Sequence, residues 1–350
     1  MQTEEILSAG IDIGTSTTQL VFSRMILQNT GGFGRIPQIK VVSKEVIYES
    51  EIYFTPLSSR EEIDGERVHE IIKKEYEKAG VCPADLATGA VIITGETSRK
   101  RNAESVVRAI ADVAGEFVVA TAGADLESVL AGKGAGAADL SQKTGKRVVN
   151  LDIGGGTTNV VLFEDGETLA RGCLDIGGRL ICMNPQGIIT KVSPAAAVMA
   201  QAAGVSVSVG DRCDELKLTA VTRQMAAALN AYLGVGTKDI DAILRQIKTP
   251  GSSDFPVPEK VQAVFFSGGV ADLIYHESAD TWAYGDIGVL LGRAIRESRL
   301  FTDFQKMEPG ETIRATVVGA GTYTTTISGS TITYSDDQAG LRIAGSLLCR

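Results

Sequence analysis

An α/β protein built from two related halves is what this sequence predicts, and three observations carry the prediction. The stretch "NLDIGGGTTNVVLF" (150–163) has a partial copy, "AGIDIGTSTTQLVF" (9–22), and their aspartates, Asp152 and Asp12, lie 140 residues apart, roughly the size of one domain. Strand-like and helix-like segments alternate along the chain. Glycine is in excess at 39 of 350 residues, above the usual ~7 per cent, and many of these glycines sit in loops that follow strands.

The elements follow in order. Residues 6–23 read as strand, Gly-Thr-Ser turn, strand, because "QLVF" is β-prone and shows no helical face. "IKVVSKEVIYESEIYF" is strand-like. "DGERVHEIIKKEYEKAG" is an amphipathic helix with Val68, Ile71, Ile72 and Tyr76 on one side, stopped by Gly80. "GAVIITGE" is a buried strand, "RNAESVVRAIADVAG" a helix capped by Asn102, and "EFVVATAG" another strand. "DLESVLAGKGAGAADLSQKTGK" reads as a short helix running into a Gly/Ala-rich and then basic loop, which places a domain boundary near Gly145.

The second half opens on the strongest β run, with Asp165-Gly166 as a hairpin turn between "NVVLF" and "ETLARGCL". Ser193-Pro194 caps one helix, and a longer one runs from about Asp214 to Leu233. "KTPGSSDFPVPEK" reads as an exposed linker into the buried strand "VQAVFFSGG", and "DIGVLLGRAIRES" is a helix. The end, from about 311, is β-like and rich in Gly, Ser and Thr.

A net charge of −9 argues against a nucleic-acid-binding surface. No stretch approaches the roughly 20 apolar residues that span a bilayer, and the acidic start "MQTEEILSAG" lacks the basic character of a secretory signal. A cytoplasmic protein without membrane or nucleic-acid partners is expected, and a homo-oligomer is left open. Five cysteines without a CxxC pair and only two histidines argue against zinc, an iron–sulfur cluster or histidine-based catalysis.

The repeated motif has a chemical meaning. Glycines let backbone N–H groups approach an anion closely, and hydroxyls add further donors to phosphate oxygens. Gly14, Thr15, Ser16 and Thr17, and Gly154, Gly155, Gly156, Thr157 and Thr158, are therefore candidate phosphate ligands. A carboxylate beside phosphates needs a cation, so Asp12 and Asp152 suit a hydrated Mg²⁺. After both loops the chain continues as a strand, which separates the pattern from dinucleotide and Walker-A loops. Ser267, Gly268 and Gly269 in "VFFSGGVADLIY" offer bare backbone for a nucleoside. Arg223 could stack on adenine or be a solvated surface arginine. "DIGGR" (175–179) echoes the pattern again and reads as a strand-end turn.

These motifs resemble the actin, Hsp70 and sugar-kinase superfamily. That resemblance implies two ribonuclease-H-like domains of the actin/Hsp70 type, 1–145 and 146–350, with ATP and Mg²⁺ in a cleft between them. More narrowly, "SAGIDIGTSTTQLVFSR", "IITGETSRKRNAESVV", "LDIGGGTTNVVLFEDG", "SGGVADLIYH" and "RATVVGAGTYTTTISGSTI", in this order, resemble the reactivating factors of ethanolamine ammonia-lyase. That family implies an ATP-dependent chaperone that exchanges damaged for intact adenosylcobalamin in its partner ethanolamine ammonia-lyase, within ethanolamine catabolism and often in a bacterial microcompartment.

Members of the family are longer, and the ending "QAGLRIAGSLLCR" finds no counterpart in the resemblance. Slow ATP hydrolysis is expected, with Glu96 and Asp125 as candidate catalytic carboxylates. The alternative reading is a sugar or acetate kinase with Asp286 as its base.

Overall fold

The computed structural model describes residues 3–14, 17–29, 39–59, 62–94, 97, 100–114, 118–121, 123–236, 240–256, 259–310 and 312–320. Contacts divide the chain into two compact units, one of Met1–Ala122 with Val317–Arg350 and one of Gly123–Thr316. The boundary expected near Gly145 thus lies inside the second unit, because the two helices preceding it pack there.

The first unit contains β1 (Thr3–Ile13), β2 (Thr17–Asn29), β3 (Ile39–Glu49), β4 (Tyr53–Phe54), α1 (Gly65–Ala79), β5 (Thr88–Ile93), α2 (Ala103–Ala114) and β6 (Val118–Thr121). Its sheet runs β3-β2-β1-β5-β6, with β1, β2 and β3 antiparallel and β5 and β6 joined in parallel. One face carries Ile11, Ile13, Phe22, Val91 and Ile93 against Val68, Ile72 and Tyr76 of α1 and Val106 and Ile110 of α2. The expected helical spacing of α1 is what delivers these apolar side chains to one side.

Asn102, expected as a cap of α2, spends its side chain elsewhere. Its amide oxygen accepts the Ile63 N–H at 2.9 Å and its amide nitrogen donates to the Ile63 carbonyl at 2.8 Å. Glu75, fully buried on α1, accepts the Tyr48 hydroxyl at 2.7 Å and the Tyr53 hydroxyl at 2.5 Å, and pairs with Lys78 at 2.8 Å. A buried carboxylate is tolerated only with such partners, and here they fix β4 against α1.

The second unit contains α3 (Ala124–Gly134), α4 (Ala137–Thr144), β7 (Val148–Ile153), β8 (Thr158–Glu164), β9 (Glu167–Leu174), β10 (Ile181–Met183), β11 (Ile189–Val192), α5 (Pro194–Ala202), α6 (Glu215–Tyr232), α7 (Asp241–Ile247), β12 (Ala263–Ser267), α8 (Ala271–Tyr275), α9 (Gly288–Arg296), α10 (Arg299–Thr302) and β13 (Gln305–Met307). Its main sheet runs β9-β8-β7-β12-β13, with the first three strands antiparallel and the last two added in parallel. This is the order and direction of the first unit's sheet. Each unit is therefore ribonuclease-H-like, and the fold is the mixed α/β duplication expected from the repeated motif.

Both faces of this sheet are covered. Leu151, Ile153, Val160 and Leu162 pack with Met199, Leu218, Val221, Met225, Leu229 and Leu291, while Phe163, Val161 and Phe265 pack with Val129, Ala135 and Ala137. The hairpin turn is as expected, with positive φ at Asp165 (51°) and Gly166 (83°).

Three local expectations fail. The Gly/Ala-rich stretch after α3 is not a loop but α4, because alanine favours helix and Ala137 and Ala138 find a core to enter. The linker "KTPGSSDFPVPEK" is not wholly exposed: Phe255 is buried and stacks on Tyr232 with ring centroids 5.1 Å apart, and Ser252 is buried too. One aromatic anchor outweighs the surrounding turn residues. Residues 315–320 are helical where β structure was expected. A short apolar run does not distinguish a buried helix from a strand by periodicity; the rest of that β-like end, 321–350, lies outside the described residues. No helix among the described residues is long and apolar enough to cross a membrane.

Candidate functional site

At the described positions the two hairpins share one geometry. Asp12 pairs with Gln19 across β1 and β2, and Asp152 with Asn159 across β7 and β8. Gly14 N–H donates to the Thr17 carbonyl at 2.8 Å, and Gly154 N–H to the Thr157 carbonyl at 2.9 Å. Thr18, second in β2, and Thr158, first in β8, are buried partners of Ile13 and Ile153. Each aspartate thus ends a central strand, 6% exposed, at the foot of a tight loop.

A neighbouring parallel strand supplies each aspartate with a hydroxyl. Thr94, just past β5, donates to Asp12 Oδ1 at 2.9 Å, and Ser267, closing β12, donates to Asp152 Oδ1 at 2.8 Å. Ser267 accepts in turn from the Asn150 amide at 3.0 Å, and Thr316 reaches Asp152 Oδ2 at 3.5 Å. Burial pushes the Asp152 carboxyl up to about 6, against the opposing hydrogen bonds from Ser267, Asn159 and Thr316. Every group named there is neutral, so a cation would be needed to restore full charge.

The loops are braced from outside. In the first unit the Gly14 carbonyl accepts hydroxyls from Thr55 at 2.8 Å and Thr97 at 3.0 Å, so the Glu75–Tyr53 contact that fixes β4 also positions the loop. In the second unit the "DIGGR" turn follows β9 as expected, and it does more. Gly178 N–H donates to the Gly154 carbonyl at 3.0 Å and Arg179 N–H to the Gly155 carbonyl at 2.7 Å. A Cβ at Gly177 would stand 2.5 Å from the Gly155 carbonyl carbon and oxygen, so only glycine lets the turn approach this closely.

These residues fit a magnesium nucleotide. Among the described residues, the N–H groups of Gly155 and Gly156 donate to no carbonyl, and nothing lies within 4 Å of where a Gly156 Cβ would be. Free amides around open space form an anion cradle. Beside it, buried Asn159 Oδ1 has no hydrogen-bond partner among the described residues. A carboxylate and an amide oxygen make an oxygen-only donor set, suited to hydrated Mg²⁺ rather than to a softer metal.

The other expected site residues fall as follows. Thr15, Ser16 and Glu96 lie outside the described residues. Gly154, Gly155, Gly156 and Thr157 form the half-exposed rim of the second loop, whereas the Thr158 hydroxyl is turned inward to the Ile176 carbonyl at 2.8 Å. Ser267 is fully buried and serves Asp152. Gly268, at φ 85°, lies where a Cβ would be 2.5 Å from the Ile153 carbonyl, and Gly269 is exposed beside open space.

Both Asp125 oxygens are engaged: one accepts the Ser253 N–H at 2.9 Å, and the other takes the Ser253 hydroxyl and Arg171. Burial opposes its charge, but the bonds from Ser253 and Arg171 prevail and hold its carboxyl below the usual range. Arg223 sits on α6 in an exposed ion pair with Glu297 at 3.2 Å. Asp286 is buried and accepts the Gly288 N–H at 2.8 Å where α9 begins. Thr94, Thr55, Thr97 and Asn159 were not foreseen; Asn150, a polar residue inside an apolar strand, was the visible clue to the network behind Asp152.

Among solved structures, the type II variant of the Aquifex aeolicus Ppx/GppA phosphatase aligns at 14% identity with a TM-score of 0.48, covering 90% of this chain and 99% of that chain. The chain is 36% identical over 343 residues to the ethanolamine ammonia-lyase reactivase EutA of Salmonella typhimurium, which covers 98% of this chain and 72% of the relative. The Escherichia coli K12 protein of the same name matches at the same identity and coverage. The family model described as ethanolamine utilisation protein EutA matches residues 4–343, which takes in the first part of the ending "QAGLRIAGSLLCR". The chain belongs to the ethanolamine utilisation protein EutA family.

Proposed function

We propose that this chain is an ATP-dependent reactivating chaperone for ethanolamine ammonia-lyase, promoting exchange of damaged for intact adenosylcobalamin in ethanolamine catabolism, in the cytoplasm or a microcompartment. The observation that carries this reading is the 36% identity to two reactivases across 98% of the chain. The doubled loop supports its nucleotide part. Asp12 and Asp152 would hold hydrated Mg²⁺, while the amides of Gly155 and Gly156 and the rim hydroxyl of Thr157 would take phosphate oxygens. Gly269 would lie under the nucleoside.

Bound ATP supplies a polyanion whose charge changes on hydrolysis. A chain whose conformers differ in nucleotide affinity prefers one of them while the nucleotide is present and loses that preference when it leaves, which is a population shift. Asp125, with both oxygens engaged, suits a structural clamp better than a general base, in keeping with slow turnover. The kinase alternative finds no support: Asp286, its candidate base, is buried and occupied at the start of α9.

Incubating the chain with cyanocobalamin-inactivated ethanolamine ammonia-lyase, Mg-ATP and adenosylcobalamin is expected to restore lyase activity. No recovery, with a relative such as the E. coli reactivase succeeding in parallel, would refute the assignment. ATP-dependent accumulation of a sugar phosphate or acyl phosphate would favour the kinase instead.

A further inference from the structure

Asn150 is a polar residue that the fold does not ask for. It stands in the middle of β7, 0% exposed, with Phe265 opposite it on β12 and Val161 opposite it on β8, both buried and apolar. Its amide nitrogen donates to the Ser267 hydroxyl at 3.0 Å, but its amide oxygen has no hydrogen-bond partner among the described residues. A buried acceptor left without a donor costs stability, and an apolar side chain of similar size would avoid that cost. The first unit shows that an aspartate-ended strand can be built without it. Two residues before Asp12 the chain has Gly10, which carries no side chain, and the Thr94 hydroxyl still reaches Asp12 at 2.9 Å.

What Asn150 adds is direction. A hydroxyl has one proton to give and can turn it toward any acceptor in reach. The Asn150 N–H can only donate, so it takes a lone pair of Ser267 Oγ and leaves the O–H to Asp152 Oδ1, 2.8 Å away. The hydrogen bonds run one way, from Asn150 through Ser267 to Asp152. One carboxylate oxygen is thereby held by an oriented donor. A ligand to Mg²⁺ gains from such fixing, because this ion demands near-ideal octahedral geometry.

We propose that Asn150 is a positioning residue of the second loop: by fixing the direction of the Ser267 O–H it aims the Asp152 carboxylate at the metal of a bound magnesium nucleotide. This rests on the magnesium-nucleotide reading of that loop. Asn150, fully buried behind Ser267, acts only through it.

The test is calorimetric titration of the full chain with Mg-ATP and with Ca-ATP, with unfolding temperatures measured alongside. The proteins are the wild type, Asn150→Val, Asn150→Ala, Ser267→Ala, the double variant Asn150→Val/Ser267→Ala, and Val161→Ala. Asn150→Val removes the unpaired acceptor and is expected to unfold no lower than the wild type, yet to bind Mg-ATP about tenfold more weakly, the scale of one lost hydrogen bond to a charged group. Asn150→Ala, which cannot overpack the layer, should show the same loss of affinity. Val161→Ala loosens the same apolar layer without touching the hydroxyl, and should lower the unfolding temperature while keeping wild-type affinity. Ca²⁺ accepts irregular coordination where Mg²⁺ does not, so Ca-ATP affinity should fall less than Mg-ATP affinity in the Asn150 variants, which a merely structural role would not produce. Once Ser267 is replaced by alanine, Asn150→Val should cost no further affinity. Undiminished Mg-ATP affinity in both Asn150 variants, an equal loss in Val161→Ala, an equal loss with both metals, or losses that add in the double variant would each overturn the positioning role. A wild-type chain that binds no Mg-ATP would overturn the nucleotide reading itself, before any variant is compared.

Discussion

Asp152→Asn is expected to make the nucleotide-free protein more stable at pH 8 while abolishing its Mg²⁺-dependent nucleotide binding. The reason is the desolvated carboxyl at the end of β7, pushed up to about 6 by burial. A group whose native pKa is raised binds its proton more tightly in the folded state, so stability falls as pH rises from the ordinary carboxylate range to about 6. Above that pH the charged form, hydrogen-bonded but without a cation, costs about 3 kcal/mol, an order-of-magnitude figure at ~1.4 kcal/mol per pKa unit.

Asparagine keeps the shape and can still accept from Ser267, so the variant should recover about 1–3 kcal/mol at pH 8, seen as a rise of several degrees in Tm. Below pH 4 the two proteins should be nearly equal in stability. Asp286, likewise pushed up to about 6 by burial, leaves a residual pH slope in both. Thermal unfolding at pH 4, 6 and 8 checks this, and an Asp152→Asn protein less stable than wild type at pH 8 would refute it. A site that is costly when empty is what a cation-binding carboxylate in a folded scaffold should be.

Gly177→Ala carries the second large effect. Its new methyl group would lie 2.5 Å from the Gly155 carbonyl carbon and oxygen and 2.7 Å from the Gly156 nitrogen. These are backbone atoms of the cradle, so the loop or the turn must move by about an ångström. A displacement of that size in a binding constellation costs on the order of a hundredfold, while overpacking costs about 1–3 kcal/mol of stability. Nucleotide affinity should therefore collapse in a protein that remains folded. Gly310→Ala, where no atom of the described residues lies within 4 Å of the new Cβ, is the matched control and should bind normally. Equal affinity in the two variants would show that the turn does not shape the loop.

Much of the fold was legible in the sequence for a physical reason: strands that end at an aspartate and turn on glycine announce both the sheet and its tight loop. The repeat at 9–22 and 150–163 foretold the matching sheets, since the same local pattern must bury the same faces. What escaped the sequence is tertiary. Thr94 and Thr316 lie far along the chain from the aspartates they serve, and nothing local marks them. Phe255 reads as one apolar residue in a linker until Tyr232 is seen stacked on it. Asp125 looks available as a base until Ser253, distant in sequence, closes on it. The "DIGGR" turn was visible as a motif, but its bonds to Gly154 and Gly155 depend on where β9 delivers it.

The central proposal is that the aspartate-ended loops of this chain bind a magnesium nucleotide. Equilibrium titration of the chain with Mg-ATP, alongside Asp12→Asn and Asp152→Asn, tests it most directly. The expected result is nucleotide binding that depends on Mg²⁺ and is lost or strongly weakened in either variant. A wild-type chain that binds no Mg-ATP, or undiminished affinity in either variant, would contradict it.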